Sequence, residues 1–336
     1  MINKTREHGG DPRLVQARFG IPKEGWLDLS TGINPHAYAC DPCPADRMQR
    51  LPVQDDMDDL LAAARQAYKV PDAAVIVASP GTQALIQHVP TLLKVSDVDI
   101  ITPTYGEHAP AWALAGHTVN CVNTLEGLSS YGVVVHPNNP DGQCQTVKGL
   151  LKTADTLQAK GGVLVVDEAY CDVMPDLSVA PFAGQKGLIV LKSFGKFFGL
   201  AGVRLGFAIC SPEMGQKLVE KLGPWAVSGP AIWAGTQALK DEKWSLENRR
   251  GMTSDAQRLA GILDRAGLCA VGGTDLFRLV RTDNAQAVFE RLAHAGILVR
   301  AFKDQPTWLR FGLPGNAAGW ARLEAVLTRE LAVKIL

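Results

Sequence analysis

The stretch Ser193-Phe-Gly-Lys-Phe-Phe-Gly-Leu-Ala-Gly-Val-Arg-Leu-Gly-Phe207 places a lysine and an arginine between two apolar runs, 187–191 and 203–210, that have strand character. Aromatic and aliphatic residues surround Lys196, and burial in such company favours the neutral amine of a lysine, which can attack a carbonyl and form a Schiff base. Ser193 and Arg204 suit a phosphate, which glycines allow the backbone to approach closely. The stretch indicates a phosphate-bearing carbonyl cofactor, but it is equally compatible with a tight strand–turn–strand in which Lys196 reaches solvent.

The same stretch resembles the lysine signature of fold-type I enzymes that use pyridoxal 5'-phosphate (PLP). Within that group it is similar to the branch that holds histidinol-phosphate aminotransferases and threonine-phosphate decarboxylases. The branch reads Ser-x-Ser-Lys, two or three residues, then Gly-Leu-Ala-Gly-x-Arg-x-Gly, and Gly195 stands here at the second serine. The resemblance implies that Lys196 is the catalytic lysine. Lys192 ends a predicted strand and lacks the glycine turn that follows Lys196.

Two further segments follow predicted strands and resemble parts of the family's cofactor site. Pro80-Gly-Thr-Gln-Ala84 opens a helix after the apolar run 73–78, and free backbone N–H groups at a helix start bind anions. Tyr105 follows the run 98–101, at the strand edge where ligands gather in open α/β sheets. Its ring could stack on a pyridine or pack on the core as an ordinary loop aromatic, and the family pattern Pro-Thr-Tyr favours stacking.

The segment Gly162-Val-Leu-Val-Val-Asp-Glu-Ala-Tyr170 has four apolar residues followed by an aspartate at the end of a predicted strand. Such a carboxylate can keep a pyridine nitrogen protonated, although it also occurs in metal and nucleotide sites. The family motif implies this role for Asp167. It also implies that Tyr170 and Asn139 hold the phenolic oxygen of PLP, and Asn139 lies in the segment His136-Pro-Asn-Asn-Pro-Asp-Gly142. The cofactor-binding residues that we predict are Gly81, Thr82, Gln83, Tyr105, Asn139, Asp167, Tyr170, Ser193 and Arg204.

The N-terminal region and two arginines provide the candidate substrate residues. His8-Gly-Gly-Asp11 and Leu27-Asp-Leu-Ser-Thr-Gly-Ile-Asn-Pro35 are compatible with ordinary turns, but they resemble the arm that covers the active site in threonine-phosphate decarboxylases. Arg310 matches the family arginine that binds the substrate carboxylate, and Arg300 resembles a second arginine for the substrate phosphate. A lone arginine at a strand end is more often part of a surface ion pair. The substrate residues implied by the resemblance are His8, Gly9, Gly10, Asn34, Arg300 and Arg310.

Composition excludes several classes of function. The 336 residues contain 34 basic and 34 acidic side chains, so no nucleic acid or anionic membrane is expected as a partner. No apolar run is long enough to span a membrane, and the N-terminus lacks a signal-peptide core. Seven cysteines, an odd number, fit reduced thiols in the cytoplasm. Cys40 and Cys43 are interpreted as part of a proline-rich loop, with metal or redox use as the alternative, and no metal site is predicted.

The resemblance extends over essentially the whole chain and implies an α/β architecture, the fold-type I PLP-dependent transferase fold. We expect an N-terminal arm over the active site (1–49), a large PLP-binding domain (50–235) with a mostly parallel seven-stranded sheet, and a small α+β domain (236–336). It also implies a homodimer with sites at the subunit interface. Leu51-Pro52 stands where aminotransferases of the branch carry Tyr-Pro, whose tyrosine reaches the neighbouring subunit's cofactor phosphate.

The arm motifs and the connector Gly223-Pro-Trp-Ala-Val-Ser-Gly-Pro-Ala231 are closer to the decarboxylases than to the aminotransferases. They imply PLP-dependent decarboxylation of L-threonine O-3-phosphate to (R)-1-amino-2-propanol O-2-phosphate in cobalamin biosynthesis. One alternative is a histidinol-phosphate-type aminotransferase, which would share every cofactor residue. Another is a PLP-binding protein without turnover, which the replacement at Leu51 leaves open.

Overall fold

The structure is a computed structural model that describes residues 9–333. Two compact units make up the chain: a larger one of residues 37–247, and a smaller one that joins residues 1–36 to 248–336. The three-part division at residues 49 and 235 stays a prediction. Short runs of aliphatic and β-branched residues form most strands. The strands are β1 (Leu27–Leu29), β2 (Val75–Ser79), β3 (Asp97–Ile101), β4 (Thr118–Val122), β5 (Tyr131–Val135), β6 (Val163–Asp167), β7 (Leu188–Ser193), β8 (Gly206–Cys210), β9 (Ala270–Thr274), β10 (Phe277–Arg281), β11 (Ile297–Phe302) and β12 (Gln305–Gly312).

Helices alternate with the strands through most of the chain. Ser211 and Ser228 begin two of them by accepting a hydrogen bond from a backbone N–H three residues later. The helices are α1 (Arg13–Phe19), α2 (Ala45–Gln49), α3 (Gln54–Ala67), α4 (Thr82–His88), α5 (His108–Leu114), α6 (Val147–Ala159), α7 (Phe194–Phe197), α8 (Pro212–Leu222), α9 (Gly229–Lys240), α10 (Glu242–Arg265), α11 (Ala285–His294) and α12 (Ala317–Val333).

The larger unit is organised around a seven-stranded sheet in the order β2-β8-β7-β6-β5-β3-β4. β8 runs antiparallel to both of its neighbours, and the other pairs are parallel. The predicted mostly parallel seven-stranded sheet is therefore confirmed. β5 and β6 are buried at every position, as expected for strands covered on both faces. Parallel strands end at the same edge of the sheet, so the loops after β3, β5, β6 and β7 lie along one rim.

A five-stranded sheet forms the centre of the smaller unit, in the order β1-β11-β12-β10-β9. β1 pairs with β11 in parallel, and the other neighbours are antiparallel. Arg300 on β11 lies directly opposite Arg310 on β12. Side chains of directly opposed residues lie on the same face of a sheet, so this register brings the two arginines together.

The predicted strand 203–210 is corrected at its start. Residues Ala201–Val203 form a 3-10 turn, Arg204 has a left-handed backbone with φ of 57°, and the strand begins only at Gly206. An apolar valine and leucine extended the prediction too far, because the left-handed residue between them cannot continue a strand. All seven cysteines lie in the described part of the chain and are free thiols. Between residues 9 and 333, no helix is long and apolar enough to cross a membrane.

Candidate active site

Five predicted cofactor segments follow the carboxyl ends of neighbouring strands in the larger unit. Gly81, Tyr105 and Asn139 come shortly after β2, β3 and β5, Asp167 ends β6, and Lys196 follows β7. Crevices outside the carboxyl ends of the strands are where open α/β sheets bind ligands. The sheet order thus brings segments that are far apart in sequence to one rim.

The lysine turn is held by aromatic packing beneath it. Lys196 lies in the single-turn helix α7 and is half-buried, whereas its neighbours Phe194 and Phe197 are fully buried. Phe198 stacks on Phe194 with ring centroids 4.6 Å apart, and on Trp244 at 5.6 Å. The apolar neighbours therefore face the core, and Lys196 is less buried than they are, with its Nζ 5.8 Å from the ring centre of Tyr170.

Lys192 occupies a very different place. Its side chain is 2% exposed, and its Nζ lies 2.5 Å from Asp172 Oδ1 and 3.2 Å from Glu168 Oε2. Burial alone would lower the pKa of Lys192, but the two carboxylates outweigh it and raise the pKa well above its usual value. A lysine held charged by two acids is a poor nucleophile. Of the two candidate lysines, Lys196 is the one that is not fully buried.

The predicted phosphate residues surround the start of α4. Gly81 has φ of 82°, and the guanidinium of Arg204 packs so closely on it that a side-chain carbon at position 81 would collide with Nη2. A side-chain carbon at Gly206 would lie 2.6 Å from the backbone nitrogen of Thr82. Glycine is thus required at positions 81 and 206, where the two segments meet. The exposed Arg204 lies against the start of α4. Ser193 ends β7 at the same rim.

The Tyr105 side chain connects the loop after β3 to the first turn of α4. Its hydroxyl donates to Gln83 Oε1 at 3.3 Å. Burial, followed by the charges of Glu107 and Asp167, raises the pKa of Tyr105 to about 12, so the phenol stays neutral across the physiological range. Its ring meets the ring of His108 edge-on at 6.2 Å.

His108 was not predicted from the sequence, and it holds Asp167. Its Nε2 lies 2.9 Å from Asp167 Oδ2, and both side chains are almost completely buried. Oδ1 of the same carboxylate accepts the backbone N–H of Ala169 at 3.0 Å. Asp167 is thus fixed in orientation at the end of β6, which suits a carboxylate that must face one ligand atom. The signal available in the sequence was a histidine three residues after Tyr105.

The loop after β5 places Asn138 and Asn139 in different roles. Asn138 is buried and accepts from Thr104 Oγ1 at 2.7 Å, while its amide donates to Pro103 O at 2.8 Å. It thereby ties the Asn139 loop to the Tyr105 loop. Asn139 is half-buried on the same rim, and Tyr170 is buried after β6.

These residues fit the predicted cofactor by their chemistry. The larger unit offers a half-buried lysine, a buried carboxylate fixed by a histidine, and an arginine packed on a glycine where a side chain would collide with it. These three protein groups are suited, in that order, to the aldehyde, the ring nitrogen and the phosphate of PLP. No cluster of His, Cys, Asp or Glu within residues 9–333 could hold a metal ion. Cys40 and Cys43 lie in irregular structure before α2.

In the smaller unit, Arg300 is half-buried and Arg310 is 6% exposed. The guanidinium of Arg310 lies over the Phe277 ring at 5.1 Å, and its Nη2 donates to the backbone oxygen of Ser30 at 2.9 Å. Two like charges on opposed residues repel each other, so their pairing favours an anionic ligand.

The predicted substrate residues of the arm that the structure describes, Gly9, Gly10 and Asn34, also belong to the smaller unit. Gly10 N–H donates to Ser30 Oγ at 2.8 Å, and Gly9 packs on the same serine. Asn34 is buried and its amide nitrogen lies 3.2 Å from Asn248 Oδ1. The predicted substrate residue His8 lies outside the described residues. The roles of all these substrate residues stay predictions, and Ser30 was not among them.

The model of the family "Aminotransferase class I and II" matches residues 45–321 of the chain. Two curated relatives, the threonine-phosphate decarboxylases of Pseudomonas aeruginosa and of a Sinorhizobium species, are each 43% identical over 96% of this chain and 97% of their own. Among solved structures, the chain is similar to a histidinol-phosphate aminotransferase from Sinorhizobium meliloti in complex with pyridoxal-5'-phosphate. That likeness has a TM-score of 0.83 and 21% identity, and it covers 98% of this chain and 96% of the other.

Proposed function

The chain belongs to the aminotransferase class I and II family, whose fold and cofactor chemistry it shares, and from this premise we propose that it is a PLP-dependent threonine-phosphate decarboxylase. It converts L-threonine O-3-phosphate to (R)-1-amino-2-propanol O-2-phosphate and CO₂, as a step of cobalamin biosynthesis. The observation that carries the proposal is the near full-length similarity to two decarboxylases of that name.

The paired arginines support a substrate with two anionic groups. Threonine phosphate carries a carboxylate and a phosphate, and each can take a planar guanidinium in a two-pronged hydrogen bond. Arg310, buried and anchored to Ser30, suits the smaller carboxylate. Arg300, half-buried on the neighbouring strand, suits the bulkier phosphate.

PLP, when bound, would supply an aldehyde for the substrate amine and a ring that accepts the electron pair released at Cα. Gly81, Thr82, Gln83, Ser193 and Arg204 would bind its phosphate, and Tyr105 would stack on its ring. Asn139 and Tyr170 would hold its phenolic oxygen.

Proton positions determine how this chain drives the reaction. Asp167, held by His108, keeps a proton on the ring nitrogen and so makes the ring a better acceptor of electrons. The Lys196 amine would bind the aldehyde of the cofactor and would supply the proton that Cα takes up after CO₂ has left. Arg310 would bind the carboxylate of the substrate, the group that is released.

The test incubates the PLP-loaded protein with L-threonine O-3-phosphate, without any keto acid, and measures CO₂ and aminopropanol phosphate. Appearance of both products in equal amounts supports the decarboxylase. The second candidate, a histidinol-phosphate-type aminotransferase, would instead consume histidinol phosphate only when 2-oxoglutarate is present. Turnover in that reaction alone would contradict the proposal, and no spectral change with either substrate would favour a PLP-binding protein without turnover.

We also propose that the enzyme is a cytoplasmic homodimer. Met48 on α2 and the following residues Leu51 and Val53, before α3, have exposed apolar side chains, with Leu51 59% exposed. Such a group of apolar side chains favours burial against a partner. Light scattering after size exclusion should give twice the mass of one chain, and Leu51→Asp should lower it. Free thiols in all seven cysteines support a reducing compartment.

A further inference from the structure

Ser30 is the point where the N-terminal glycines and Arg310 meet in the smaller unit. Its side chain is 1% exposed, directly after β1. Leu29, the last residue of β1, pairs with Val299, so Ser30 emerges next to the strand that carries Arg300. A serine at this place contacts the arm through its hydroxyl and Arg310 through its backbone oxygen.

The direction of each hydrogen bond at Ser30 follows from its partners. Asp28 Oδ1 accepts both the hydroxyl at 2.6 Å and the backbone N–H at 2.8 Å of Ser30. A hydroxyl has one proton, and that proton is given to Asp28, so the oxygen lone pairs remain for another donor. Gly10 N–H fills that place at 2.8 Å. Asp28 therefore sets the hydroxyl in the orientation that accepts the arm.

The two glycines are required by this contact. A side-chain carbon at Gly9 would lie 2.5 Å from Ser30 O and 2.8 Å from Ser30 Oγ. Gly10 has φ of 95°, in the left-handed region, where a side chain would be strained. The oxygen that Gly9 approaches is also the oxygen that accepts from Arg310 Nη2.

We propose that Ser30 is a positioning residue that couples docking of the Gly9–Gly10 arm to the orientation of Arg310. When the arm leaves Ser30, the Ser30 carbonyl that anchors Arg310 loses its contact with Gly9, and the guanidinium is held less firmly. The consequence for catalysis rests on the proposed function, in which Arg310 binds the substrate carboxylate. The coupling itself concerns only hydrogen bonds within the free protein, and coupling between two sites must act in both directions.

The test measures amide hydrogen exchange in the PLP-loaded, full-length protein. Ser30→Ala should speed exchange in a peptide covering residues 9–19 by about tenfold, as expected for one lost hydrogen bond. Arg310→Met should speed exchange in the same peptide, because it removes the Nη2 donor from Ser30 O. Thr253→Val is the matched control, because Thr253 also gives its hydroxyl to a carboxylate at 2.6 Å, that of Asp275. It should leave the arm peptide unchanged.

Two results would overturn the coupling: unchanged arm exchange in Ser30→Ala, or unchanged arm exchange in Arg310→Met. If Ser30→Ala does not fold, Gly9→Ala perturbs the same contact from the arm and replaces it. Steady-state kinetics form the second part, in which Ser30→Ala should raise KM for L-threonine O-3-phosphate about tenfold. Faster arm exchange with an unchanged KM would overturn the link to substrate binding. A wild type without turnover would refute the proposed function, while the exchange data would still decide the coupling.

Discussion

Two lysines at the end of the same strand have opposite chemical properties. Lys192 belongs to β7 and is enclosed with Glu168 and Asp172, whereas Lys196 lies on the following turn and is only half-buried. The difference arises because the strand side chain points into the core, while the short helix α7 carries the next lysine past the strand end.

Lys196→Ala should therefore remove the visible absorbance of bound PLP and the decarboxylase activity, with little change in the free energy of unfolding. Lys192→Met should leave two carboxylates without their buried cation and cost about 3–5 kcal/mol of stability. Absorbance spectra and urea unfolding are measured on both variants, and each variant is the control for the other. A Lys196→Ala protein that kept the absorbance would disprove the assignment of the lysine.

Gly195 stands at the second serine of the lysine signature that the stretch resembles, and the structure gives a steric reason for the glycine. A side-chain carbon at Gly195 would lie 2.7 Å from Ala201 Cα, whereas Gly202 in the same segment has nothing within 4 Å. Gly195→Ala should lower the free energy of unfolding by about 1–3 kcal/mol through overpacking. Gly202→Ala, the control, should change it by much less in the same denaturant titration. Equal effects would mean that the turn can adjust around position 195.

At the scale of elements, strands built from apolar runs were predictable, including β2 at the sheet edge, whereas β1 and β4 were not. The segments that form β5 and β6 are rich in valine, so the sequence alone locates them within a residue or two. β4 mixes polar and apolar residues because it lies at the sheet edge. β1 is a three-residue strand that depends on pairing with β11, near the other end of the chain.

The candidate site divides in the same way. Residues that follow a predicted strand, such as Asp167 and Tyr105, could be proposed from local sequence and family motifs. His108 begins helix α5, and its role follows only from its contact with Asp167, at the end of β6. Nothing in the local sequence marks Ser30, because its partners Gly10 and Arg310 are distant from it in the sequence.

The β11–β12 register leads to a prediction about substrate choice. Arg300→Ala should lower kcat/KM for L-threonine O-3-phosphate by about 100-fold, because a charge-assisted hydrogen bond to a phosphate is lost. Any slow turnover of free threonine should fall much less. Arg281→Ala removes an exposed arginine on the adjacent β10 and is the control. Equal losses with both substrates would exclude Arg300 from phosphate binding.

At the scale of the whole molecule, a buried histidine makes stability depend on pH. His136 is fully buried, and burial lowers the pKa of its ring, an effect partly offset by Glu168 and by the hydrogen bond to Leu177. Its Nδ1 accepts Gln145 N–H at 3.2 Å, and Nε2 lies 3.1 Å from Leu177 O, so the neutral ring satisfies both partners. The unfolded chain then binds a proton more readily than the folded one.

It follows that the free energy of unfolding should be highest above the unfolded pKa of about 6.5 and fall as pH drops below it, by at most about 1.4 kcal/mol per pH unit. Urea unfolding between pH 5 and 8 measures this slope. His136→Gln should flatten the curve in that window, whatever its effect on the absolute stability. A slope identical to that of the wild type would show that other groups cause the dependence.

The cluster of Lys192, Glu168 and Asp172 limits the evolutionary routes open to this sequence. Replacing Lys192 alone leaves two carboxylates without their cation in the core, whereas replacing all three residues with well-packed apolar ones can be neutral or stabilising. The effect of a change at one position therefore depends on the other two, and divergent descendants should keep the lysine with its acids or exchange the three as a set. Glu168 directly follows Asp167, so this constraint acts next to the carboxylate that we propose faces the cofactor's ring nitrogen.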